Sequence, residues 1–236
     1  MTHASALPVR GIRSFVRRQG RLTSAQRRAL DDYAPTYCLP IDRVFDPVGV
    51  FGRQAPLFLE IGFGNGECLA AMAANRPDCD FIGIEVHPPG IGHLLLALQR
   101  SALPNVRVYA HDAMDVLPRV LPERTLDAVH VFFPDPWPKK RHHKRRLVNA
   151  DFLALVARKL QPGGALHIAT DWQEYAESML ALLNASELFV NTSPDGAYCP
   201  RPDYRPETKF ERRGMQLGHG VWDLIFRRSK AAPGPA

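Results

Sequence analysis

From Leu57 onward apolar residues recur in two alternating patterns, short continuous runs and longer segments with helical spacing. Leu57 to Ile61 is a short run ending in glycines, which fits a strand buried on both faces of a parallel sheet. Glu67 to Ala74 reads as a helix closed before Pro77. A strand over Asp80 to Glu85, a helix over Ile91 to Arg100 and a strand over Val106 to Tyr109 follow. After His111 and Asp112 a short helical stretch runs to Val120. Asp127 to Phe133 is a fourth strand and Ala150 to Leu160 a helix. A turn at Gln161-Pro162-Gly163-Gly164 leads into a fifth strand, Ala165 to Thr170. Trp172 to Leu183 is another helix, and Val221 to Arg227 reads as an edge strand.

Strands alternating with helices imply an α/β fold with a parallel sheet covered on both faces and right-handed crossovers. Ligands of such sheets bind outside the carboxyl ends of the strands, near the point where strand order reverses. Five successive strand ends carry a carboxylate at or just past the end: Glu60, Glu85, Asp112, Asp135 and Asp171. A shared rim of acids suggests a site. Upstream, residues 1–35 form a basic arm with Arg10, Arg13, Arg17, Arg18, Arg21, Arg27 and Arg28. Thr23 or Ser24 caps a short helix through Leu30, and Pro35, Pro40 and Pro47 punctuate an extended linker. The arm is expected to be mobile because it has few apolar residues. Residues 36–230 are expected to form a single domain and 231–236 a disordered tail.

With 236 residues and 45% hydrophobic content the chain can bury a full core. The net charge of +6 is modest but clustered. A cluster points to a polyanionic partner, nucleic acid first, or to a solvated basic face. Cys38, Cys68, Cys79 and Cys199 are widely scattered, which suits reduced thiols and argues against structural zinc. The first ten residues hold no apolar core of a secretory signal, and no apolar run approaches the roughly 18 residues of a membrane helix. A cytoplasmic location without membrane contact is therefore expected.

Gly62, Gly64 and Gly66 directly follow the first strand. Glycine lets backbone approach a ligand and take positive φ, and the next helix aims its first amides at the pocket. A dinucleotide fingerprint would need glycine at 67, where this chain has Glu67. A carboxylate there repels a pyrophosphate and suits the sulfonium and ammonium groups of S-adenosylmethionine. Glu85 is placed to accept ribose hydroxyls, a role that NAD enzymes share. Asp112 reads as a helix N-cap, as an acceptor for an adenine amino group, or as both.

The loop after the fourth strand is Pro134-Asp135-Pro136-Trp137-Pro138, followed by six Lys or Arg within nine residues, 138–146. The prolines make it stiff and extended and hold Asp135 at the rim. Cations for phosphates and a ring for stacking suit nucleic acid. A solvated charge run or a targeting signal is the bland alternative. His142 and His143 have no supporting metal ligands nearby in sequence, so no metal is expected.

These residues resemble the signature of bacterial tRNA (guanine-N7)-methyltransferases: Pro134 to Trp137, then Lys139, His142 and Lys144-Arg145-Arg146. Ile12 to Arg21, Gly83 to His87, Ala169 to Trp172, Thr208 to Gly214 and His219 to Asp223 are similar to that family as well. The resemblance implies a Rossmann-like class I methyltransferase with a mostly parallel seven-stranded sheet and an antiparallel last strand. It implies methylation of N7 of guanine 46 in the tRNA variable loop, with S-adenosylmethionine as donor. Glu60, Gly62, Gly64, Gly66, Glu85, Asp112 and Asp135 would bind the cofactor, and Asp135 would be catalytic. Lys139, Asp171, Thr208, Lys209, Phe210 and Glu211 would bind the guanine. Arg141, His142, His143, Lys144, Arg145 and Arg146 would touch RNA. Rival readings are a methyltransferase for another substrate and a non-catalytic RNA-binding relic of the fold. The acids at every cofactor position argue against the relic.

Overall fold

A computed structural model describes residues 20–207, 211 and 220–230. Its strands are β1 (Leu57–Ile61), β2 (Asp80–Ile84), β3 (Val106–Tyr109), β4 (Leu126–Phe132), β5 (Leu160–Thr170), β6 (Phe189–Asn191) and β7 (Trp222–Arg228). They form one sheet in the order β3-β2-β1-β4-β5-β7-β6. The first five pair in parallel, and β7 runs antiparallel to both β5 and β6. Apolar residues dominate the central strands because both faces are covered. One face packs Leu69, Phe81, Leu94 and Val106 under α1 (Ser24–Tyr37), α3 (Glu67–Asn75) and α4 (Pro88–Arg100). The other packs Leu59, Val129, Phe152 and Met179 under α5 (Ala113–Arg119), α6 (Ala150–Lys159) and α7 (Gln173–Asn184). Strand order reverses between β1 and β4, so the carboxyl ends of those two strands frame the expected ligand crevice.

Several expectations change. The last strand is not an edge, because β6 pairs along its outer side. A strand of three residues leaves too short a pattern to be read from sequence. The turn expected at Gln161–Gly164 is an irregularity inside the eleven-residue β5, with Gly163 at φ 79°. The Pro47 region is not wholly extended: Asp46 caps the short α2 (Pro47–Phe51).

The N-terminal helix does not stop at Leu30 but runs to Tyr37 with Pro35 inside it, so the boundary expected at residue 35 falls within α1. Its start is fixed by a capping box, in which Thr23 Oγ1 accepts from the Gln26 amide and Gln26 Oε1 from the Thr23 amide. Ala29 and Tyr37 are buried where α1 packs on α4, and Gly92 lets the Gln26 backbone come close. After the helix, the Leu39 amide donates to the Val108 carbonyl and extends the sheet beyond β3. Residues 1–19 and 231–236 lie outside the described residues, as do the arginines expected before Gly20. Among the described residues no helix is long and apolar enough to cross a membrane, and no group of three His, Cys, Asp or Glu side chains is arranged to hold a metal ion.

Candidate active site

The glycine loop opens the site. Gly62, Gly64 and Gly66 take φ values of 72°, 58° and 76°, and side-chain space at the first two is open. Gly66 is the N-cap of α3, so the first amides of that helix face the loop, where the Glu67 amide donates to Asn65 Oδ1 at 3.3 Å. The Gly64 amide donates to Glu85 Oε2 at 2.9 Å, and Glu85 Oε1 accepts from the Val86 and His87 amides. Glu85 therefore ties the loop to the turn after β2, besides lining a cavity.

Two cavities flank this loop. The larger, of about 640 Å³, is lined by Glu60, Gly62, Gly64, Glu67, His93 and Glu207 among others. Glu60 is only 3% exposed, and its Oε2 has no hydrogen-bond partner. Burial, and next the charge of Glu85, push its carboxyl up to about 8. A buried carboxyl with an unsatisfied oxygen, in a cavity with two further glutamates, fits a cationic group. The smaller cavity, of about 210 Å³, brings Glu85, Asp112 and Asp135 together with Ile61, Ile84, Ala113 and Leu147. Gly62, Phe132 and Phe133 line both. Apolar walls with acids at the rim suit an adenosine moiety. Asp112 does cap α5, accepting from the Met114 amide at 3.0 Å.

Asp135 is exposed on a loop bounded by two residues with left-handed backbone, Phe133 at φ 54° and Trp137 at φ 47°. Such strain in non-glycine residues persists only where surroundings impose it, and it gathers at functional sites. Here the Phe133 amide donates to the Ala169 carbonyl at 2.7 Å, which fixes the loop's entry. The loop is not extended throughout as expected, because the backbone turns left-handed at Trp137 before the extended Lys139. Lys140 to Arg145 then form a 3₁₀ turn that arrays Lys140, Arg141 and Lys144 at the surface. Arg145 lies over the Trp137 ring at 5.0 Å, and His142 meets that ring edge-on. Desolvation and then the cations Arg141, Arg145, Lys139 and Lys144 hold His142 below its ordinary pKa.

Arg146 departs from expectation. It is 6% exposed, donates Nε to the Pro136 carbonyl at 2.9 Å and pairs with Glu174 through both terminal nitrogens. It braces the Asp135 loop and presents no free cation to RNA. Its partner Glu174 lines a third cavity of about 660 Å³ with Asp171, Trp172, Gly220 and Trp222.

The profile of a family described as "Putative methyltransferase" matches residues 54–224. The tRNA (guanine-N(7)-)-methyltransferase of Methylococcus capsulatus is 58% identical over 228 residues, covering 97% of this chain and 99% of that protein. Its namesake from Alcanivorax borkumensis is 54% identical over 221 residues, covering 93% and 92%. The chain belongs to the tRNA (guanine-N7-)-methyltransferase family. Among solved structures, a 16S rRNA (adenine(1408)-N(1))-methyltransferase with cosubstrate SAM from Catenulisporales acidiphilia superposes with a TM-score of 0.53 at 17% identity, covering 81% of this chain and 95% of that one. An rRNA methylase from Streptococcus thermophilus gives 0.50 at 13% identity, covering 74% and 87%. At such identities the likeness concerns the fold alone, which is the seven-stranded class I methyltransferase fold.

Against that family frame, the structure gathers Glu60, Gly62, Gly64, Glu85, Asp112 and Asp135 around two adjoining cavities, while Asp171 lines the third. Thr208, Lys209 and Phe210 lie outside the described residues. Glu211 is buried and takes both terminal nitrogens of Arg205. Sequence reasoning missed Arg205 and the role of Arg146, because Asp223 and Glu174, the partners that bury them, lie 18 and 28 residues along the chain.

Proposed function

We propose that this chain transfers a methyl group from S-adenosylmethionine to N7 of guanine 46 in the tRNA variable loop. The observation that carries the reading is the placement of Asp135, in one cavity with Glu85 and Asp112 and five residues before the basic 3₁₀ turn. The family relationship supports the choice of base and atom.

The cofactor would supply an electrophilic methyl group on a positively charged sulfur. Glu60 and the glycine loop would hold its cationic amino-acid end, and Glu85 and Asp112 its adenosine. Guanine N7 carries a lone pair and no proton, so attack needs no general base. The work left to the residues is positioning and charge stabilisation. Asp135 would orient the base and stabilise the positive charge that the product acquires. N7 faces a major groove too narrow for side chains in A-form RNA, so the base must leave its stack, at a cost of a few kcal/mol. Phosphate contacts from Lys139 to Arg145 would offset that cost. Mass spectrometry of tRNA incubated with the protein and S-adenosylmethionine, with the added methyl located by nuclease mapping, tests the reading. A methyl on any other atom or molecule would refute it.

A further inference from the structure

Arg205 is 1% exposed and one of the largest side chains fully inside the core. Its Nε and Nη2 donate to Asp223 Oδ1 and Oδ2 at 2.7 and 2.8 Å. Its Nη1 and Nη2 donate to Glu211 Oε2 and Oε1 at 2.6 and 3.1 Å. The guanidinium carbon lies 5.9 Å from the Phe132 ring and 5.8 Å from the Phe133 ring. Those two rings line both cavities assigned to the cofactor, and the neighbouring Pro206 and Glu207 line the larger one.

The far end of this cluster is anchored in the sheet. Asp223, on β7, meets His167 Nε2 at 2.7 Å, and Tyr204 Oη meets His167 Nδ1 at 3.0 Å. Burial, opposed by Asp223, lowers the pKa of His167 and favours its neutral ring. A consistent assignment has Nε2–H donating to Asp223 and the Tyr204 hydroxyl donating to Nδ1.

A buried guanidinium is tolerated when its donors are met, and one carboxylate would suffice for its charge. Here there are two, and one of them is Glu211. We propose that Arg205 is a positioning residue for guanine recognition, fixing the Glu211 carboxylate in one orientation while its own guanidinium lies near the Phe132 and Phe133 rings that line the cofactor cavities. This rests on the expectation, implied by the family resemblance, that Glu211 binds the guanine, where its carboxylate would accept from N1–H and the amino group. A carboxylate oxygen can accept more than one hydrogen bond, so the Arg205 fork does not preclude contact with the base. Lysine cannot replace it, because a single ammonium cannot fork to two carboxylates in a plane.

The test uses tRNA assembled from synthetic halves with guanosine or inosine at the methylated position. Inosine keeps N7 and N1–H and lacks only the amino group. The ratio of kcat/KM for the two substrates is measured for the full-length protein and for Glu211→Gln, Arg205→Lys and the double variant. The unaltered protein is expected to favour guanosine by about tenfold or more, since inosine forfeits the charge-assisted hydrogen bond from the amino group to the Glu211 carboxylate. Arg205→Lys is expected to lower that preference to about threefold or less. Its affinity for S-adenosylhomocysteine should stay within about threefold, and the double variant should discriminate no worse than Glu211→Gln. A folded Arg205→Lys protein with undiminished preference for guanosine overturns the proposal, however slow it is. If Glu211→Gln itself keeps the preference, the reading of Glu211 falls and the proposal with it. Should Arg205→Lys not fold, Asp223→Asn loosens the same guanidinium with an isosteric change. It is expected to lower the preference at least about twofold, and an unchanged preference overturns the proposal.

Discussion

Arg146 and Glu174 form a two-bonded ion pair that braces the loop carrying Asp135, because the same guanidinium also holds the Pro136 carbonyl. The hydrogen bond from Arg146, opposed by slight desolvation, keeps the Glu174 carboxyl below its ordinary pKa. Glu174 is half exposed, so the ion pair itself contributes little; the buried cation and its carbonyl contact matter more. Arg146→Ala should lower stability by about 1–3 kcal/mol in denaturant titrations. The salt dependence of tRNA binding should be unchanged in that variant, whereas Arg141→Ala and Lys144→Ala should each reduce its slope by about one. A reduced slope for Arg146→Ala would return that residue to the RNA surface.

Asp135 stands between two strained residues, and its side chain is exposed, so removing it breaks no packing. Asp135→Ala is expected to leave the melting temperature within a few degrees. Single-turnover methyl transfer should slow on the order of 100-fold or more, the scale of a lost charge-stabilising group. Asp135→Asn keeps the shape and loses the charge, so its rate separates positioning from electrostatics. A rate within about threefold of the unaltered protein for both variants would remove Asp135 from the mechanism.

The sheet was largely legible because buried parallel strands read as apolar runs, and the acids at their ends followed from topology. β1 to β4 fall within a residue of expectation. Three-residue β6 and the polar first half of β5 were not legible, since neither carries a continuous apolar run. Pro35 suggested a linker, yet the buried Ala29 and Tyr37 hold α1 together past it. In the site, Glu60, Glu85, Asp112 and Asp135 could be picked out because each lies at or just past the end of a strand. Arg146 and Arg205 could not: a cation in a basic run looks like its neighbours until Glu174, 28 residues away, is seen to bury it. Likewise Asp223 lies 18 residues beyond Arg205.

Glu60 gives the cofactor site a proton linkage. Its carboxyl is raised from 4.5 to about 8 by burial, then by Glu85. Between those values the folded protein keeps a proton that the unfolded chain has lost. The stability of the ligand-free protein should therefore fall as pH rises through that window and level off above it. Glu60→Gln should flatten this dependence. A ligand ammonium held beside it favours the carboxylate and expels the proton. Calorimetry with S-adenosylhomocysteine at about pH 6.5, in buffers of different ionisation enthalpy, should therefore read release of close to one proton, and less in Glu60→Gln. Equal proton release in both proteins would place the titration elsewhere.

Gly66 combines two constraints that can be separated by experiment. Its φ of 76° disfavours any side chain, and an added Cβ would sit 2.7 Å from the Leu94 side chain. Gly62, at φ 72°, has open space instead. Gly62→Ala should thus show the backbone cost alone, about 1–2 kcal/mol, and Gly66→Ala about 2–4 kcal/mol with weaker S-adenosylhomocysteine binding, because the start of α3 is pushed from the loop. Leu94 is fully buried, so Leu94→Ala costs about 2–5 kcal/mol by itself. In the double variant the Cδ1 and Cγ contacts at 2.7 and 3.0 Å are gone while alanine keeps the Cβ at 2.7 Å, so the clash is eased only in part and the combined loss should fall short of the sum by about 0.5 kcal/mol. Additive losses, measured by denaturant unfolding of all four proteins, would show that the Cγ and Cδ1 atoms of Leu94 do not set the need for glycine at 66.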